Sequence, residues 1–159
     1  MEHLPYRFAL AVGLASVAAS PSAAAEKDGV AALLDQQKVK YELDKDKDYK
    51  IVYEFSDEKR SQIVYVSGTT EDFEGHKIRT VFAPAALLSK DRIDGQLKTL
   101  LEYNGKSKVG AWEINGDALY FAAKLLEPLT AEELTAMLNL VSSIADDKEI
   151  EISGDRDEL

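Results

Sequence analysis

The chain has 159 residues, one domain's worth, and carries 19 Lys+Arg against 29 Asp+Glu for a net charge of −10. That balance excludes wrapping of a nucleic-acid backbone, which rests on Lys and Arg displacing counterions. Cysteine is absent, which excludes disulfides, Cys-ligated zinc and thiol catalysis, and only two histidines, His3 and His76, are available for acid–base work.

Residues 1–7 end in Arg7, and Phe8 to Ala19 is an uninterrupted apolar or small run. Ser20-Pro21-Ser22 breaks it, and Ala23-Ala24-Ala25 precedes Glu26. This is the n-region, h-region and small-residue cleavage pattern of a secretory signal peptide. The apolar run is shorter than the roughly 20 residues of a spanning helix. Cleavage is expected after Ala25, leaving a soluble periplasmic or secreted chain. The last four residues, Arg156-Asp157-Glu158-Leu159, differ by one from the Lys-Asp-Glu-Leu address. Retention in the endoplasmic reticulum is therefore a minor alternative, although no Asn-x-Ser/Thr site accompanies it. The organisation read from these signals is a signal peptide over 1–25, one domain over 26–147 and an acidic tail over 148–159.

Asp28 is placed to cap a helix over 29–37, with Val30, Leu33 and Leu34 on one face. Val39, Tyr41 and Leu43 alternate with charged residues as in a strand, and Asp44-Lys45-Asp46-Lys47-Asp48 is a charged turn. Tyr49, Ile51, Tyr53 and Phe55 alternate with Lys50, Val52 and Glu54, which predicts a strand with the first set in the core. After a turn at Ser56–Lys59, strands are predicted at Ile63–Val66 and Ile78–Phe82, separated by an acidic loop from Gly68 to Gly75. Pro84 is expected to end the last of these. Ser89 is expected to cap a helix with apolar positions Ile93, Leu97, Leu100 and Leu101, closed by Asn104-Gly105. Asn115-Gly116-Asp117, between two alternating runs, is a hairpin turn. Thr130-Ala131-Glu132-Glu133 is a capping box, followed by the stripe Leu134, Met137, Leu138, Val141 and Ala145, with Leu129 placed to staple onto Leu134.

Few residues point to chemistry. Asp44-x-Asp46-x-Asp48 opens like a calcium loop, but the sixth and twelfth positions hold Tyr49 and Phe55 where Gly and Glu are required. A solvated turn is the better reading. Glu71, Asp72, Glu74 and His76 could hold a metal or move a proton, yet a lone histidine without a supporting motif is more often structural. Neither a phosphate loop nor a nucleophile-and-base pair is present, so no catalytic residue, cofactor or metal site is assigned. Trp112, Tyr120 and Phe121 lie on the Asn-Gly hairpin, as core or as a partner surface. Trp112 and Tyr120 are the candidates for that surface, although core is the commoner fate of such aromatics.

Three stretches carry a family resemblance: Leu97-Lys98-Thr99-Leu100-Leu101-Glu102-Tyr103-Asn104, then Val109-Gly110-Ala111-Trp112-Glu113-Ile114, then Leu119-Tyr120-Phe121 followed by Leu129-Thr130-Ala131-Glu132-Glu133-Leu134. Together with the meander before them, they resemble the YbjN domain family over about residues 28–147. The resemblance implies an α+β fold similar to type III secretion chaperones. Its antiparallel sheet, a meander plus a hairpin, is packed with about three helices in the order α-β-β-β-α-β-β-α. It also implies a non-catalytic module that binds a protein partner or self-associates as a dimer. A periplasmic carrier of a small apolar ligand or lipid, held between sheet and helices, is the alternative.

Overall fold

A computed structural model describes residues 29–55, 60–154 and 156–157. The expected signal peptide, the Asp28 cap and the turn at Ser56–Lys59 lie outside the described residues. The elements are α1 (Gly29–Gln36), β1 (Glu42–Leu43), β2 (Tyr49–Phe55), β3 (Arg60–Val66), β4 (Glu71–Phe73), β5 (His76–Leu87), α2 (Leu97–Lys106), β6 (Ala111–Asn115), β7 (Ala118–Leu126) and α3 (Ala131–Ser153). Among the described residues the seven strands form one antiparallel sheet ordered β1-β2-β3-β5-β7-β6, with β4 paired to β5. This is the predicted α+β class and, with two differences in the first strands, the predicted element order.

Those two differences have local causes. The strand expected over Val39–Leu43 shrinks to Glu42–Leu43, the part that pairs with Lys50 and Tyr49. The acidic loop is partly a hairpin. Glu71–Phe73 pairs back onto β5, and the turn closes with Glu74 at φ 51 and Gly75 at φ 83.

The core lies on one face of the sheet. Tyr49 and Ile51 on β2, Val64 and Val66 on β3, Val81 and Ala83 on β5, and Leu119 and Phe121 on β7 are all buried. They follow the strand period of two. Helix α3 packs across β3, β5 and β7, α1 lies against α3, and α2 covers β6. The predicted stripe on α3 supplies Leu134, Leu138, Val141 and Ala145 to this layer, with Met137 partly buried beside them. Each fully buried Leu, Val or Phe stabilises by about 1.5–3 kcal/mol relative to exposure. Ala83, Ala123 and Ala145 are completely buried at the contact. Such small side chains let a helix approach a sheet closely.

Strand β5 does not end at Pro84. It continues to Leu87, with a bulge between Pro84 and Ala86. Proline is tolerated at bulges and where no ladder donor is needed. Pairing of β3 with β5 covers only Tyr65↔Phe82 and Val66↔Val81. Beyond these rungs the Gln62 side chain donates to the Pro84 carbonyl at 2.8 Å. A side chain therefore satisfies the Pro84 carbonyl where the β3–β5 ladder has ended.

The helix predicted from Ser89 starts later. Ser89 instead donates from its backbone N–H and its hydroxyl to Asp117 at the β6–β7 turn. A short 3₁₀ turn, Asp94–Gln96, leads into α2. The apolar set divides: Ile93 and Leu100 are buried, whereas Leu97 and Leu101 face outward. The helix also runs past Asn104-Gly105 to Lys106. Asn104 turns its side chain to β6, accepting from the Trp112 N–H at 2.7 Å and donating to the Trp112 carbonyl at 3.1 Å.

Helix α3 begins at the predicted capping box. The Thr130 hydroxyl accepts from the Glu133 N–H, and the Glu133 carboxylate accepts from the Thr130 N–H. The acidic tail expected from residue 148 is helical through Ser153. Glu149 is buried because Arg60, the first residue of β3, binds Asp146 at 2.9 Å and Glu149 at 3.1 Å. Burial opposes the charge on Arg60, but the Asp146 hydrogen bond and the charges of Asp146, Glu149 and Asp157 outweigh it and hold the guanidinium protonated.

Candidate functional site

With all three helices on one face, the opposite face of the sheet is left open. Alternation aims Ile63 and Tyr65 of β3, Thr80 and Phe82 of β5, Tyr120 and Ala122 of β7 and Glu113 of β6 toward it. These side chains line a groove of about 620 Å³. Cross-strand register assembles its floor. Tyr65 sits directly opposite Phe82, and the rings stack at 5.2 Å with an interplanar angle of 14°. Phe82 meets Tyr120 edge-to-face at 5.6 Å. Aromatic pairs in these geometries stabilise one another by about 0.5–1.5 kcal/mol.

One end of the groove is the Asp44–Asp48 turn. It is the tight charged turn that the sequence predicts. Asp44 Oδ1 accepts from the N–H groups of Asp46 and Asp48 at 2.8 and 2.9 Å. Asp48 Oδ1 in turn accepts from the Gly68 N–H at 2.8 Å. Gly68 is required there, because a Cβ would lie 2.1 Å from the Lys47 carbonyl oxygen. At the far rim Glu113 is paired with Lys124. Burial, then Asp44, Tyr120 and Asp48, push the Tyr65 hydroxyl above its ordinary pKa.

Trp112 and Tyr120 do not share a surface. The register pairs Trp112 with Phe121 and Glu113 with Tyr120, so the two aromatics face opposite ways. Trp112 is only 6% exposed and packs with Tyr103 and Phe121 beneath the helices. Tyr120 lies half-buried on the open face. Of the two candidates, Trp112 is therefore buried under the helices and Tyr120 lies on the open face. Tyr65 and Phe82 lie beside it there, residues the sequence reading did not single out. Their signal was present in the outward-facing positions of β3 and β5.

The Glu71–His76 cluster is the exposed β4–β5 hairpin, with Asp72 accepting from the Gly75 N–H. Among the described residues no three His, Asp or Glu side chains are grouped to hold a metal ion. The layer between sheet and helices, where an apolar ligand was considered, is filled by Phe121, Leu119, Leu134 and Leu138, each at most 1% exposed. A separate apolar patch, Leu97 and Leu101, lies on the outer side of α2.

A family model, YbjN, described as "Putative bacterial sensory transduction regulator", matches residues 26–148. No curated protein matches the chain.

Proposed function

The chain belongs to the YbjN family, and we propose that it is an exported, non-catalytic regulatory module that binds a protein partner on the open face of its sheet. The observation that carries this reading is the aromatic floor Tyr65–Phe82–Tyr120, assembled on a face that no helix covers. Antiparallel sheets commonly leave one face to solvent, but that face is then polar. Here it presents stacked rings, and exposed apolar patches with a polar rim mark interaction sites. Export rests on the signal-peptide pattern, and the family match begins at residue 26, just after the expected cleavage point. The chaperone-like fold inferred from the resemblance agrees with a binding role.

The layer between sheet and helices is filled, but the groove volume falls within the range of small-ligand sites, roughly 300–1,000 Å³, which supports, as a second reading, a carrier whose ligand sits on the open face. The two are separated by photo-crosslinking in the native host. A photoreactive residue at position 120 is expected to capture one recurring protein, whereas one at position 101 on α2 is not. Equal capture from both positions would remove the open face from consideration. Native mass spectrometry showing a small bound mass and no protein would favour the carrier.

A further inference from the structure

We propose that the open face takes a basic amphipathic segment of a partner protein, with apolar side chains on Tyr65, Phe82 and Tyr120 and Lys or Arg against the Asp44–Asp48 turn. This rests on the open face being the binding surface and adds the chemistry of what it binds.

The charge around the groove is uneven. Of the charged residues that line the groove at the turn, Asp44, Asp46 and Asp48 stand against Lys45, with Lys47 of the same turn and Lys50, opposite Tyr65, outside the lining. At the opposite rim Glu113 is neutralised by Lys124. The excess negative charge therefore sits at one end. Two of the three carboxylates are also fixed: Asp44 and Asp48 are held by the backbone N–H groups of the turn and of Gly68. Asp46 remains 69% exposed, with Lys45 3.9 Å away. Tyr65, whose hydroxyl is raised above its ordinary pKa by burial first and then by Asp44, Tyr120 and Asp48, lies next to this turn. A cation entering there meets both the carboxylates and the faces of electron-rich rings.

The same charge argues against other occupants. A second copy placed face to face would set these carboxylates against one another, and an anionic lipid surface or a nucleic acid would be repelled. The dimensions suit a protein segment. Four strands, β3, β5, β7 and β6, at a spacing of about 4.8 Å make a face about 14 Å across. A single helix about 10–12 Å in diameter fits on it.

The test uses the full chain and two ~15-residue amphipathic peptides, one of Leu and Lys and the other of Leu and Glu. Binding is read by fluorescence anisotropy of the labelled peptide and by amide shifts of the protein. The Leu–Lys peptide is expected to bind and to shift the amides of Tyr65, Phe82 and Tyr120. Asp46→Lys, a charge reversal at an exposed site outside the fixed carboxylates, is expected to weaken it by at least about fivefold, the scale of one surface ion pair. That difference is expected to fade at about 0.5 M salt. Equal binding of the Leu–Glu peptide, or indifference to Asp46→Lys, with shifts still on the open face, would overturn the basic partner and leave the open face standing. Shifts confined to α2 near Leu97 and Leu101 would overturn both. No binding by either peptide would sink the charge argument, and the crosslinking result alone would then decide the open face.

Discussion

Trp112 shows how a single side chain can serve packing instead of recognition. Its ring meets Phe121 at 5.2 Å and Tyr103 at 6.2 Å, with the Lys148 ammonium 6.0 Å from its centroid. Its indole N–H has no acceptor among the described residues. Trp112→Ala is therefore expected to cost about 3–5 kcal/mol in chemical denaturation. Trp112→Phe, which forfeits no hydrogen bond, should cost much less. Arg60 makes the opposite case, a buried charge held by two carboxylates. Arg60→Ala leaves Asp146 and Glu149 without it and is expected to cost about 3–5 kcal/mol, measured the same way. Two tyrosines contribute to the alkaline pH dependence of stability. Burial raises the Tyr53 hydroxyl above its ordinary value of 10.0, and burial followed by Asp44, Tyr120 and Asp48 raises that of Tyr65. The folded chain then keeps protons that the unfolded chain has lost. The stability these groups contribute is complete below pH 10 and falls as pH rises through their folded values. Denaturation midpoints measured across that range should decline less steeply in the Tyr53→Phe/Tyr65→Phe variant.

Among the elements, α3 and β6 depend on caps of different kinds. Thr130→Ala removes one half of a reciprocal pair and should lower stability by about 1 kcal/mol. Asn104→Ala strips the side-chain amide from both backbone groups of Trp112 on the outer side of β6. A loss of about 1–3 kcal/mol is expected, with faster amide exchange at Trp112 as the specific readout. Much of this layer is legible in the sequence. The capping box and the stripe from Leu134 to Ala145 locate α3, strict alternation locates β2, and Asn115-Gly116-Asp117 locates the β6–β7 hairpin. There the two-residue turn is Gly116-Asp117, and of the pair only Gly116 has positive φ, at 59°. The elements that escape a sequence reading are set by partners far along the chain. Strand β5 passes Pro84 because it stays paired with β7 through a bulge, as far as Leu87↔Ala118. Helix α2 starts late because Ser89 is bound by Asp117, 28 residues on. The open-face site escapes for the same reason. Tyr65, Phe82 and Tyr120 are unremarkable as separate positions, and only the strand register brings them together.

At the scale of the molecule, export has a direct check. Amino-terminal sequencing of the secreted protein is expected to begin at Glu26, and material beginning at Met1 would contradict the signal-peptide reading. Near the carboxyl end, Arg156 binds Asp91 at 2.9 Å, and the Asp157 carboxylate accepts from the Ser61 N–H at 3.2 Å, so both residues are docked on the domain. No helix among the described residues is long and apolar enough to cross a membrane. The two rungs shared by β3 and β5 have a mechanical consequence. They divide the sheet into two leaves, β1–β3 and β5–β7–β6, and α3, touching β3, β5 and β7, is the spine that binds them. Tyr65 belongs to one leaf, and Phe82 and Tyr120 to the other. The angle at which this book lies open therefore sets the width of its page gutter. Any change in that angle must be accommodated at Leu134, Leu138 and Val141, the buried residues of the helix that touches both leaves.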